Sequence, residues 1–342
     1  MGQTIDVENR NEDFRAIHDL IERLEFGIRA VCVMYDEHSN DKQSHDNIFR
    51  HKENIYYRLS SARISYRALL REIGEGERWL LESSKGNARE FDKFVMGNPF
   101  FDRIERDVSG HFDNLVFQLA SAFDYMAHVI CYICQRNKSK TLYWMKLARS
   151  ARGEGNEIAQ LAIKDVVDQV DKSFVGRLYD YRSRLSHHER DKHRFEALVA
   201  LSPLHFRVTI KPSQVSFNHF KSIYEGDENC KQCTLAYMSS WLIRTSIAKL
   251  DLLLDALVPE IVKNSVVRQN IDVPKGGKSF VVMMYDKNTN SAQLTSRHMW
   301  HRYKQGHTNQ LAHTLVRICD SCLLILGLVT IKFQIRLLAW TR

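Results

Sequence analysis

The residues with the clearest chemical potential lie in the run Tyr181-Arg182-Ser183-Arg184-Leu185-Ser186-His187-His188. Histidine gives and takes protons near neutral pH, because its unperturbed pKa is about 6.5. Arginine stays protonated and presents a planar fork of donors to carboxylate or phosphate oxygens. Together these types suit acid–base chemistry at a phosphate. Arg182 would clamp the developing negative charge, and His187 would move the proton, with Arg184 and His188 assisting. Spacing sets a condition on this reading. In an ideal helix positions 182 and 187 lie about 140° apart around the axis, whereas 184 and 188 share a face. A helix end or kink near Ser186 is therefore required to bring Arg182 and His187 together. The plainer alternative is a solvated basic helix end, where Arg and His meet the negative pole of the helix dipole.

Cysteine is the second chemistry-bearing type. Six of the seven cysteines fall in Cys-x-x-Cys pairs: Cys131/Cys134, Cys230/Cys233 and Cys319/Cys322. Such pairs are half-sites for structural zinc, yet the separation between pairs is far longer than in a compact zinc ribbon. Cys131/Cys134 and Cys319/Cys322 sit in apolar runs and read as buried thiols. Cys230/Cys233 follows the turn-like Gly226-Asp-Glu-Asn229 and precedes a helical pattern, so it is the one pair placed for zinc or redox work. Lys275-Gly-Gly-Lys278-Ser279 is not a phosphate loop. Asp272 stands where the first glycine is needed, and a strand-like Phe-Val-Val-Met-Met follows instead of a helix. His298, His301, His307 and His313 show no tight ligand spacing.

The elements that must position these residues are mostly helices. With 342 residues, 44% of them hydrophobic, the chain can bury a sizeable core. Only 5 prolines and 15 glycines permit long helices and argue against a many-turned β-sandwich. Helical periodicity runs over Asp13–Tyr35, then Ile48–Ile73 up to Gly74 and Gly76. The strongest helical stretch is Ser109–Cys134, apolar nearly all round and so expected at the centre of the core. Further helices are expected at Asn156–Val170, Phe174–His188 and Thr234–Leu257. A small hairpin is expected between Ala197 and Ile210, and a short strand at Ser279–Tyr285.

Charge is uneven. Ser291 to Arg342 carries Arg297, Arg302, Lys304, Arg317, Lys332, Arg336 and Arg342 against the single acid Asp320, and so supplies most of the formal net charge of +8. Such a segment can attract nucleic acid or an anionic surface, or be a merely soluble end. The apolar run Cys322–Ile331 is half of the roughly twenty residues a membrane span needs, and extending it admits Lys332 and Arg336. A core or partner-binding helix is the expectation there, and a membrane association is not. The polar N-terminus lacks the features of a secretory signal. An odd cysteine count in a long chain fits a reducing cytoplasm.

Arg182 followed by four residues and His187, near the end of a helix, resembles the hallmark of the HEPN superfamily of helical domains. Arg182 to His188 fits the same pattern with five intervening residues. Phe117-Gln-Leu-Ala-Ser-Ala-Phe-Asp124-Tyr-Met-Ala127 resembles the Asp-bearing core helix of such domains. The resemblance covers residues 13 to 193. It implies an antiparallel helical bundle over 1–193, a small β insertion plus a completing helix over 194–290, and a C-terminal extension over 291–342. It also implies a metal-independent endoribonuclease of the toxin or phage-defence kind. The 2′-hydroxyl would be the internal nucleophile, which restricts cleavage to RNA. Arg182, His187 and His188 would be catalytic, and Ser183, Arg184 and Asp124 would bind substrate, with no cofactor. A homodimer would bring two motifs into one groove, and a cognate antitoxin would be a further partner. Ser183 departs from the Asn, Asp or His common after the arginine. The alternative within the same family is a non-catalytic module that binds RNA, nucleotide or a partner protein.

Overall fold

The computed structural model describes residues 7–38, 45–84, 98–134, 142–153, 157–187, 191–201, 204–224, 233–263, 284–286, 291–293 and 296–306. The protein is mainly α-helical. Three long helices follow one another: α1 (Val7–His38), α2 (His45–Ser84) and α3 (Pro99–Cys134). They run antiparallel. Tyr66 donates to Asp13 across α1 and α2, and Arg58 to Gln118 across α2 and α3. α3 is the core helix its composition predicts, with Phe112, Leu115, Leu119, Phe123 and Met126 all fully buried. Among the described residues it alone is long and apolar enough to cross a membrane, and 72% of that apolar window is buried in the bundle.

α2 passes straight through Gly74 and Gly76, where the sequence led us to expect an end. Each glycine costs a helix about 1 kcal/mol relative to alanine. Burial of Ile73 and Leu80 on the continuing face outweighs that cost, as does the stack of Trp79 on Phe100 at 5.0 Å. At Gly76 the small residue has a use, since an added Cβ would already touch Val208 at 3.4 Å.

Beyond α3 lie α4 (Trp144–Arg152), a 3-10 turn (Ile158–Gln160), α5 (Ile163–Val170) and α6 (Gly176–His187). The expected break between the last two helices is a π turn at Asp171–Val175 and not a loop. A wider turn admits one extra residue without ending the helix. Here it turns the Asp171 carboxylate inward, where Oδ1 accepts from Trp144 Nε1 at 2.8 Å and Oδ2 accepts from Arg152.

The hairpin forms as β1 (Arg194–Leu201) and β2 (Leu204–Lys211), antiparallel, with Arg194 opposite Lys211 and Leu201 opposite Leu204. Phe206, Val208 and Ile210 alternate into the core. Next come α7 (Gln214–Lys221) and α8 (Leu235–Lys263). α8 lies along α1 in the same direction, its Arg244 paired with Asp13 at 2.6 Å near the start of both helices. A second small pair, β3 (Met284–Asp286) and β4 (Ser291–Gln293), covers only the end of the strand expected at Ser279–Tyr285. The rest of that strand, with Lys275–Ser279, lies outside the described residues.

The first part of the basic C-terminal segment is not a loose end. It forms α9 (Ser296–Lys304), which packs on α1. Tyr303 is buried, its hydroxyl donates to Asp251 at 2.6 Å, and Lys304 pairs with Asp255 at 2.7 Å. The ring of Tyr303 lies so close to Gly27 that an added Cβ would stand 2.5 Å from it. Residues 307–342, including the apolar run, Cys319, Cys322, His307 and His313, lie outside the described residues.

Gly27→Ala should therefore lift α9 off α1, at a cost of about 1–3 kcal/mol for overpacking. Limited proteolysis would read this as faster cleavage around Ser296–Lys304 with the helical circular dichroism retained. An unchanged cleavage pattern would contradict the contact.

Candidate phosphate-binding site

Arg182 sits two turns into α6, on the side facing α3. Its Nη1 lies 3.4 Å from Oδ2 of Asp124. The guanidinium stands over the rings of Phe117 at 5.6 Å and Tyr179 at 5.5 Å. The side chain remains 32% exposed and that of Asp124 only 14%. A guanidinium carries five N–H donors, and the contact to Asp124 engages one of its nitrogens.

Asp124 has a second task. Its Oδ1 accepts from the backbone N of Trp144, at 3.1 Å, at the first residue of α4. One carboxylate thus supplies an acceptor to a helix start and holds the arginine. Tyr179 closes the base of the site, its hydroxyl donating to the Ala120 carbonyl at 3.0 Å. Burial first, and then the charge of Asp124, push its phenol far above the usual range. It therefore acts as a neutral donor.

The other residues of the Arg-His run are distributed differently. Ser183 is exposed. Arg184 points away from Asp124. It pairs with Asp191 at 3.7 Å and stands over Tyr181 at 5.8 Å. That side of α6 is structural, since Tyr181 is fully buried and its hydroxyl donates at 2.9 Å to Ser216 Oγ, which itself donates to Asp191. Arg184 and Arg182, both expected at the site, therefore engage different carboxylates. α6 remains α-helical through His187, and Ser186 donates back to the Arg182 carbonyl at 3.1 Å. Among the described residues α6 has no kink between Arg182 and Ser186, and the helix ends at His187. The side chain of His187 and all of His188 lie outside the described residues.

The cysteine readings divide. Cys131 and Cys134 are buried thiols, as expected. Burial raises Cys131 to about 11 and Cys134 further. Cys233 is half-buried just before α8, and Cys230 lies outside the described residues. Among the described residues no group of three or more His, Cys, Asp and Glu side chains is placed to hold a metal ion.

Two histidines that the sequence did not single out adjoin this site. His128 follows Asp124 by one turn of α3, and His51 reaches it from α2. Their rings meet edge to face with centroids 5.0 Å apart. They are 9% and 8% exposed. Three of their ring nitrogens, Nδ1 of His51 and both nitrogens of His128, are buried without a hydrogen-bond partner among the described residues. Burial, then the neighbouring His128 and Arg50, lower His51 to about 4. Burial also lowers His128, against the pull of Asp124. Asp124 and His128 at i and i+4 form a detectable sequence signal. Nothing in the sequence joins His51 to them, because α2 packs there only in three dimensions.

No protein-family model, no curated protein and no solved structure matches the chain.

The histidine pair predicts a pH dependence. The folded pKa of His51 lies below the unfolded value, so its neutral form is favoured by folding. That stability is complete above about pH 6.5 and is lost as pH falls toward about 4, in total about 3 kcal/mol for His51. Urea denaturation between pH 7 and 4 should show this slope, and His51→Phe should flatten it. An equal slope in the variant would refute the assignment.

Proposed function

We propose that this chain is a HEPN-like, RNA-acting protein in which Arg182 binds a backbone phosphate and supports metal-independent cleavage. The observation that carries the reading is the guanidinium of Arg182 itself. It is held by Asp124, stands over two aromatic rings and is 32% exposed. A rigid cation of this kind stabilises charge gathering on phosphate oxygens without reorganising. His187 is the proposed acid/base group, drawing the 2′-hydroxyl proton and returning one to the departing 5′-oxygen. The helix is continuous from Arg182 to His187, and the resemblance implies that two copies of the chain together form the site. A homodimer therefore belongs to the proposal. A toxin or phage-defence setting with a cognate antitoxin, and a cytoplasmic location, follow from the resemblance alone.

The same helical continuity favours a second reading, a non-catalytic module that holds RNA or nucleotide through Arg182. The two readings part in one experiment. RNA cleavage is measured in chelator with wild type, Arg182→Ala and His187→Ala. The enzyme reading expects wild-type cleavage and losses of about 10²-fold or more in each variant. Equal cleavage by all three proteins would sink it. RNA binding that depends on Arg182, with no cleavage by wild type, would leave the second reading standing.

A further inference from the structure

Native proteins pair nearly all of their buried polar atoms, so three unpaired imidazole nitrogens in one place ask for a ligand. The His51–His128 niche has the surroundings of a base-binding site. Tyr125 packs against both histidines, with centroids 6.4 and 5.8 Å away. Tyr143, 58% exposed, lies 5.3 Å from His128 and covers it on the solvent side. Arg58, from α2, stands over Tyr125 at 5.8 Å. The niche is therefore aromatic, and a neutral histidine ring offers both a donor and an acceptor.

Its position relative to Arg182 gives the ligand class. His128 lies one turn, about 6 Å, along α3 from Asp124, the partner of Arg182. A nucleotide spans a comparable reach from phosphate to base. Positions 114, 118, 121 and 125 form the outward stripe of α3, which leads to the buried His128 and is bordered by Arg58 of α2 on one side and Arg182 of α6 on the other. A phosphate at Arg182 thus leaves its base at the histidines.

We propose that the His51–His128 niche is a nucleobase subsite, entered when the Tyr143 ring swings aside, in which the base edge pairs with the unpartnered nitrogens of His128 and His51. This rests on the reading of Arg182 as the phosphate clamp. Single-stranded RNA is commonly read in this manner, by aromatic stacking with hydrogen bonds to an unpaired base edge.

Calorimetric titration tests it with uridine 5′-monophosphate, adenosine 5′-monophosphate and ribose 5-phosphate, the last lacking a base. Wild type should bind at least one nucleotide about tenfold more tightly than ribose 5-phosphate. His128→Phe keeps the ring and removes both nitrogens. It should bring the nucleotide down to the ribose 5-phosphate level with thermal stability kept or raised. His51→Phe is the second variant should the first fail to fold, and it should lose the same preference. Arg182→Ala should weaken all three ligands. Wild type that binds nucleotides no better than ribose 5-phosphate would overturn the subsite, meaning that the niche holds water only. Retention of the full base preference in both phenylalanine variants would do the same. Base-dependent binding without RNA cleavage would uphold the niche while removing the enzyme reading. Cleavage without base-dependent binding would remove the niche alone.

Discussion

The carboxylate of Asp124 sits where α3, α4 and α6 meet, and the arrangement around the site depends on it. It is mostly withdrawn from water, so its charge must be matched. Arg182 supplies the cation on one oxygen and the Trp144 backbone N–H supplies a donor on the other. Trp144 carries the link onward, because its indole donates to Asp171, which in turn accepts from Arg152. Arg152 also pairs with Asp168 at 2.5 Å. A chain of alternating charges and donors thus runs from the exposed end of α6 back through the π turn. The distortion at Asp171–Val175 is part of it, since a regular helix would not present Asp171 to the indole and the guanidinium together.

The same helix serves as core and as site. α3 buries most of its circumference, yet keeps one outward stripe that includes Asn114, Gln118, Ser121 and Tyr125. Asn114 donates to Ser65 at 2.7 Å and Gln118 accepts from Arg58 at 2.9 Å along the α2 border of the stripe. His51 and His128 contribute three buried nitrogens without a hydrogen-bond partner among the described residues. A buried histidine pair lowers stability relative to apolar rings of the same shape. Natural proteins keep such local costs where a function uses them.

The hairpin and the C-terminal helices complete the body without entering the site. β2 seats Val208 against Gly76, and its backbone N–H donates to Glu77 at 3.2 Å. α9 closes over α1 because Gly27 has no side chain.

The sequence by itself determined the helical class, the central place of α3 and the hairpin, and it singled out Arg182 and Asp124, which the fold pairs. Those features rest on local periodicity, on burial, and on residue chemistry that does not depend on distant partners. It did not reveal that α2 continues past Gly74 and Gly76, because tertiary burial outweighs a penalty that dominates in isolated helices. Nor did it show that Asp171 opens a π turn, since that choice depends on Trp144 and Arg152 reaching it from another helix. The placement of Arg184 against Asp191, away from Arg182, is fixed by the helical rotation of α6 and by a residue beyond its end. Only the tertiary structure could unite His51 with His128, because their partnership is made by the packing of α2 on α3 and has no spacing along the chain.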